Sequence, residues 1–310
     1  MWLLSSLFGF YIALIYAVII LIFWVIAFRK WKQYPLQKTR YIFLLCSHIF
    51  LFFIIPELVF RFAIKIKGIG FEDYWHSYGL TIPYPLFLDN ILFSSHNFYF
   101  YVTVFITFVV LPIVIFIHGK RFCSYLCPFG ILSETSGDIF RKKSHKANKF
   151  NSLTKLRWLF LILSLLFIFI YYYTGFSQQN VKLFKKFIIH YSIVFYFYIG
   201  FILNILLFYF IGNRFFCRFL CPLSQFMEYV GSRSSMPVIT STGNCSDCKV
   251  CDENCQMGIE VSNLIKNDKE ISLGNSTCIY CGICVSLCPQ KALKIDFGVI
   301  EADNPKSNFL

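Results

Sequence analysis

Eight cysteines in two short runs limit most strongly what this chain can fold into. CSDCKVCDENC places Cys245, Cys248, Cys251 and Cys255, and CIYCGICVSLCP places Cys278, Cys281, Cys284 and Cys288. Both runs read Cys-x2-Cys-x2-Cys-x3-Cys. Three thiolates at this spacing wrap one corner of a cubane cluster, and a fourth thiol brought from elsewhere closes it. Zinc is the competing reading. It asks for four ligands in a tetrahedron and usually takes two Cys pairs set further apart, so the 2-2-3 run does not call for it. A disulfide scaffold fits poorly, because such scaffolds are short and loop-rich. Of the thirteen cysteines, twelve fall in four clustered motifs and only Cys46 stands alone, as a small core residue.

The doubled run is the spacing of bacterial two-cluster ferredoxins, in which the fourth Cys of each run serves the other cluster. On that pattern Cys245, Cys248, Cys251 and Cys288 hold one [4Fe-4S] cluster, and Cys278, Cys281, Cys284 and Cys255 hold the second. Gly282 lets the backbone bend round a cluster, and Pro289 follows the last Cys as the pattern expects. The first run departs from it, with Gln256 where Pro is usual, but no ligand is lost. Such a module moves single electrons and does no bond chemistry itself.

The rest of the chain is apolar. Hydrophobic residues make up 57% of it and aromatic residues 20%, with a mean hydropathy of +0.62. Runs of about 20 apolar residues predict a multi-pass membrane protein. Five spans are expected, at roughly 6–28, 41–63, 98–118, 156–174 and 187–211. Segments 29–40 and 119–157 carry five and nine Lys or Arg, against two and three in 64–97 and 175–186. The positive-inside rule then puts the basic segments and the C-terminal tail in the cytoplasm and the N-terminus outside, in the bacterial inner membrane and in contact with its lipid. The N-terminal run reads as a retained helix, not a cleaved signal. Net charge is +13, yet residues 231–310 hold 7 basic and 9 acidic residues, so the excess lies elsewhere. That distribution excludes a nucleic-acid surface. The expected organisation is an extra helix and basic loop at 1–40, a four-helix membrane core at 41–230, a small α+β two-cluster domain at 231–297 and a tail at 298–310.

A second cysteine motif is also repeated. FCSYLCPFG carries Cys123 and Cys127, and 94 residues later FCRFLCPLS carries Cys217 and Cys221. Each Cys-x-x-x-Cys-Pro ends an apolar run. Spacing of i, i+4 puts the two thiols on one helical face. Alternatively Pro128 and Pro222 open new helices, which puts Cys127 and Cys221 at helix N-termini, where thiolates are favoured. Lys120, Arg121, Arg214 and Arg218 add positive charge. A dithiol couple, a four-thiolate metal site and a structural brace all stay open on these residues.

HGKRFCSYLCPFG and GNRFFCRFLCPLS, followed by two ferredoxin runs, resemble the NapH-type membrane ferredoxins. The same core occurs in NosR-type proteins and in related maturation proteins such as CcoG. The resemblance covers about residues 41–297; residues 1–40 add a span to it. It implies four spans, two cytoplasmic Cys-x-x-x-Cys-Pro motifs, two [4Fe-4S] clusters and electron transfer from quinol. The acceptor would be an iron–sulfur or cytochrome c partner in nitrate- or nitrous-oxide-type anaerobic respiration. The alternative is a maturation factor whose Cys123, Cys127, Cys217 and Cys221 reduce or bind a metal such as copper, since thiolates suit Cu(I). Glu57 is the candidate proton acceptor at a quinol site, with Arg61 its i, i+4 neighbour. His96 and His190 are candidate haem ligands, weighed against ordinary interfacial histidines; His48, His76, His118 and His145 carry no assigned role.

Overall fold

The computed structural model describes residues 2–50, 54, 105–146, 153–174, 193–234, 237–243, 245–268 and 270–296. Helix α1 (Trp2–Trp31) closes on Arg29 and Lys30, which oppose the negative end of its dipole. A short turn leads to α2 (Pro35–Ile49), where Pro35 supplies the fixed φ of a first turn.

Two homologous halves follow. In the first, wider-pitched turns (Ile106–Val110) run into α3 (Leu111–His118), then α4 (Arg121–Tyr125) and α5 (Pro128–Thr135). A 3-10 turn (Asp138–Phe140) and α6 (Lys143–Lys146) complete it, and α7 (Leu156–Thr174) joins the halves. In the second, wider-pitched turns (Ile193–Leu203) run into α8 (Asn204–Ile211), α9 (Phe215–Phe219) and α10 (Pro222–Gly231). The break between the first two helices falls at Gly119 in one half and Gly212 in the other, both at positive φ.

The C-terminal domain contains β1 (Val238–Ser241), α11 (Val250–Glu253), α12 (Val261–Asp268), β2 (Glu270–Ile271), α13 (Ile283–Leu287) and β3 (Leu293–Asp296). The sheet order is β2-β1-β3, antiparallel throughout. Ile239 of β1 faces Ile271 on one side and Ile295 on the other. Ile239 and Ile271 share a buried core with Val261, Ile265 and Tyr280.

Among the described residues no helix is long and apolar enough to cross a membrane. This overturns the α-helical multi-pass fold, the inner-membrane location and the outside N-terminus expected above. Not all of the apolar runs become simple rods. Runs 98–118 and 187–211 each change pitch before an eight-residue α-helix, and α2 ends at Ile49. The described end of α1 turns Ile20, Ala27 and Trp31 into the protein core, while Ile15, Ile22 and Ile26 face outward. Arg157 and Ser164 of α7 are buried. Basic residues counted towards topology are buried in the protein instead: Arg40, Lys120, Arg141 and Arg157, as are Arg214 and Arg218 beside the second Cys-x-x-x-Cys-Pro motif.

Most of those cations converge on two carboxylates. Glu134, on α5, is fully buried. Arg40 of α2 grips it with two bonds of 2.9 and 3.1 Å, Arg214 approaches at 2.6 Å and Arg141 at 3.4 Å. Gln256 of the C-terminal domain donates to the same carboxylate at 2.7 Å and accepts from Arg214 Nε at 2.9 Å. Asp138 extends the network: it pairs with Arg141 and accepts from Trp31 Nε1 at 3.0 Å and Lys30 Nζ at 2.6 Å. Glu228 of α10 is the second node, held by Arg157 at 2.8 Å and Lys120 at 3.2 Å. Burial alone would push the Glu134 carboxyl up, but Arg40, Arg214 and Arg141 hold it well below the usual range.

Removing one partner from a buried ion network leaves the others uncompensated and costs about 3–5 kcal/mol. Glu134→Gln is expected to lose stability in that range in a urea titration; a loss under about 1 kcal/mol would show the network to be dispensable. Because the folded state holds Glu134 below its unfolded value of about 4.3, its contribution is full above that pH. It is lost as pH falls towards the depressed folded value.

Candidate iron–sulfur sites

The two cysteine runs build the same loop twice, 33 residues apart. Left-handed backbone recurs at matching places: Asp247 (φ 56) with Tyr280 (φ 49), Lys249 (φ 58) with Gly282 (φ 69), and Gly258 (φ 66) with Lys291 (φ 50). Residues in this region curl the chain so that successive N–H groups point to one side, the geometry of an anion-binding nest. The non-glycine members cost about 1–3 kcal/mol each, strain that persists only where the surrounding structure fixes it.

The loops enclose two cavities. One is lined by Cys245, Cys248, Cys251 and Cys288, the other by Cys255, Cys278, Cys281 and Cys284. Each therefore draws three thiols from one run and the fourth from the other, and each offers about 410 Å³ of space, partly open to solvent. Backbone N–H groups donate to the sulfurs: Ile259 to Cys255 at 3.3 Å, Tyr280 to Cys278 at 3.4 Å and Ala292 to Cys288 at 3.3 Å. Such bonds favour the anionic sulfur of a metal thiolate. In the thiol form, burial pushes Cys255 up to about 11 and Cys251 up to about 12. A bound metal is what turns thiols like these into thiolates near neutral pH.

The cavities differ in setting. Cys245 and Cys248 are exposed, whereas Cys278 is buried and Cys255, Cys281 and Cys284 are half-buried. The second cavity also leans on the helical part. Gln37 of α2 donates to the Cys281 carbonyl at 3.0 Å and to Ser286 Oγ at 3.2 Å. Among the described residues no group of three or more His, Cys, Asp or Glu is placed to hold a single metal ion. Each cavity brings together four cysteines, the number of protein thiolates that a [4Fe-4S] cluster takes.

The other four thiols lie in the helical halves. Cys127 (φ −66, ψ 127) and Cys221 (φ −65, ψ 114) are extended residues that precede α5 and α10, with Pro128 and Pro222 in the first turns. Cys123 and Cys217 sit inside α4 and α9, so the two thiols of a pair do not share one continuous helix. Cys123, Cys127 and Cys217 are buried and Cys221 is half-buried. Burial pushes the Cys123 thiol up to about 11, against the pull of Lys120.

Cys46 is exposed, which corrects its reading as a core residue. His48 is buried, and burial lowers it to about 4, so it is neutral at pH 7. His118 is exposed. Glu57, Arg61, His76, His96 and His190, and with them the quinol and haem readings, lie outside the described residues. Sequence reasoning missed Glu134, although an acid amid the basic residues of segment 119–157 was a usable signal. Gln256 was noticed only as a missing proline.

Two protein-family models match the chain, both described as a 4Fe-4S binding domain: one at residues 100–147 and 193–236, the other at 274–294. The first covers the two helical halves and the second the later cysteine run. Among curated proteins, two uncharacterized proteins of Methanocaldococcus jannaschii are 28% and 26% identical, each over 61% of this chain and over 77% and 69% of their own lengths. YccM of Escherichia coli, provisionally named as an electron transport protein, is 30% identical over 59% of this chain. The match spans about half of YccM, 52% of its length. No solved structure matches. The chain thus carries 4Fe-4S binding domains, and a relative named for electron transport supports an electron-transfer role.

Gly282 opens α13 beside the second cavity, and a Cβ there would run into Leu36 Cδ2 of α2. With its positive φ, Gly282→Ala is expected to cost about 1–3 kcal/mol in denaturant unfolding. An unchanged midpoint would show that α2 moves freely away from the loop.

Proposed function

We propose that this protein is an electron carrier with two [4Fe-4S] clusters in its C-terminal domain. Cys245, Cys248, Cys251 and Cys288 hold one, and Cys255, Cys278, Cys281 and Cys284 hold the other. The observation that carries this reading is the pair of sulfur-lined cavities, each completed by a cysteine of the opposite run. When bound, such clusters supply one-electron redox chemistry. The chain's own part is to gather the sulfurs in sets of four, donate backbone N–H bonds to them and shield the inner set. These second-layer bonds and the degree of burial set cluster potentials.

The exposed position of Cys245 and Cys248 favours electron exchange with a partner protein, iron–sulfur or cytochrome c, across that face. Quinol is the proposed electron source, on the sequence resemblance alone.

The test uses the full chain purified without oxygen, with iron analysis and low-temperature EPR after dithionite and after a menaquinol analogue. Cys288→Ser belongs to the second run but is expected to remove the signal of the Cys245 set and to spare the Cys278 set. Loss of the Cys278 signal instead would refute the crossed ligation, and zinc in place of iron would refute the function. Reduction by dithionite but not by the quinol analogue would remove quinol from the reading.

A further inference from the structure

The residue after the first cysteine of each Cys-x-x-x-Cys-Pro motif is Ser124 in one half and Arg218 in the other, 94 residues apart. Both are buried. Each reaches one of the two cysteine runs beside the inner cavity, the one lined by Cys255, Cys278, Cys281 and Cys284. Ser124 Oγ donates at 2.9 Å to the carbonyl of Ile279, which follows Cys278. Arg218 lies against the run that holds Cys255, and it brings a charge where Ser124 brings none.

Gly258 makes room for the Arg218 guanidinium. Its N–H donates to the Cys255 carbonyl at 3.1 Å, which folds the loop back over that cysteine. A Cβ on Gly258 would run into Arg218 Nη1 and Cζ, and its φ of 66 is one that other residues rarely adopt. Arg218 Nη1 also donates to the Ser144 carbonyl at 2.8 Å, which holds the charge in place. Burial pushes the Cys255 thiol up, and Arg218 pulls it back. The inner cavity thus has a buried positive charge against the loop of one of its cysteines.

The outer cavity, lined by Cys245, Cys248, Cys251 and Cys288, has the opposite charge beside it. Asp252 follows Cys251 on α11 and is buried. Its Oδ1 lies 3.6 Å from Cys251 Sγ. Ser262, which lines the same cavity, donates its N–H to Oδ1 at 2.8 Å and its hydroxyl to Oδ2 at 2.5 Å. Both oxygens accept, the pattern of an ionised carboxylate. In the second run the matching place, 33 residues on, is the apolar Val285.

We propose that Arg218 and Asp252 set the reduction potentials of the two clusters, Arg218 raising the inner one and Asp252 lowering the outer one, so that the two are levelled. This rests on the reading of the chain as a two-cluster carrier. Reduction adds one negative charge to a cluster and its four thiolates, and no bond forms or breaks. Water stabilises that charge near the exposed Cys245 and Cys248 and is kept from the buried Cys278. Solvent alone would therefore place the electron on the outer set of sulfurs and keep it from the inner set. A cation beside Cys255 favours the added charge, and a carboxylate beside Cys251 opposes it. Each residue works against the solvent on its own side. A single electron can then pass between the two sets without being trapped on the outer one.

The test is a potentiometric titration of the full-length protein, prepared without oxygen and followed by EPR. The outer signal is the one that Cys288→Ser removes. In the wild type the two midpoints are expected to agree within a tenfold ratio of reduced to oxidised form, about 59 mV for one electron. A wider gap in either direction overturns the levelling. Arg218→Gln is expected to lower the inner midpoint by at least that tenfold ratio and leave the outer one unmoved, and Arg218→Lys to restore it. Asp252→Asn is expected to raise the outer midpoint by at least as much. Smaller shifts, shifts of the opposite sign, equal shifts at both clusters, or a Lys variant moved as far as the Gln one assign these residues to structure and overturn the proposal. Where a variant takes up no iron, the gap in the wild type decides. A wild type without two cluster signals sinks the two-cluster reading itself, whereas two signals that these variants leave in place overturn only the levelling.

Discussion

Everything in the described structure is hung on one buried carboxylate. Glu134 belongs to the first half, yet its partners come from α2, from the second half and from the C-terminal domain. A lone carboxylate in such a place would take up a proton rather than stay charged. Three guanidiniums keep it ionised, and it in turn makes their burial tolerable. Glu228 repeats the arrangement on a smaller scale with Lys120 and Arg157. A buried ion network is weak evidence for high stability, because an apolar core of the same shape often does as well. What it does supply here is placement. Bidentate and shared hydrogen bonds fix angles as well as distances, and four chain segments must be in position before all of these groups are satisfied.

That placement matters for the sulfurs. Arg214 touches the Glu134 carboxylate, Gln256 and the Cys123 carbonyl at once. Gln256 follows Cys255 directly, so the network reaches from the backbone of a helical-half cysteine to a cysteine lining the inner cavity through two side chains. Gln37 does similar work from α2, reaching the Cys281 carbonyl while accepting from Arg40. The C-terminal domain is thus bolted to the helical halves by polar groups set around the cysteines, with an apolar filling of Ile115, Met227 and Ile279 between them.

The cysteine runs were readable because their information is local: four residue types at fixed short spacings leave few geometries for the backbone. The Cys-Pro break was readable only as one of two alternatives: Pro128 and Pro222 suit a first turn, but the i, i+4 spacing equally allowed both thiols on one helical face. The apolar runs misled. Hydropathy registers how apolar a segment is, and it is blind to a change of pitch at residues 106–110 or 193–203. The basic residues misled more instructively. Charge counting treats Arg40 and Arg141 alike as surface charges near a boundary, and Arg214 reads only as positive charge beside the second thiol pair. Only the fold shows that they face one another across Glu134. Gln256 was visible as a departure, but its use depends on Arg214, 42 residues away in sequence.

The exchange of one cysteine between the two runs has a consequence for how the protein is made. Cys288 lies 37 residues after Cys251 and is the last of the eight to leave the ribosome. The outer cavity, although it begins with the earliest of the eight cysteines, stays one sulfur short until nearly the whole domain has been synthesised. The inner cavity is complete slightly sooner, once Cys284 joins the waiting Cys255. Neither cavity has its four sulfurs on a growing chain until the second run has been made. A chain cut just before Cys288 would leave the outer cavity with three.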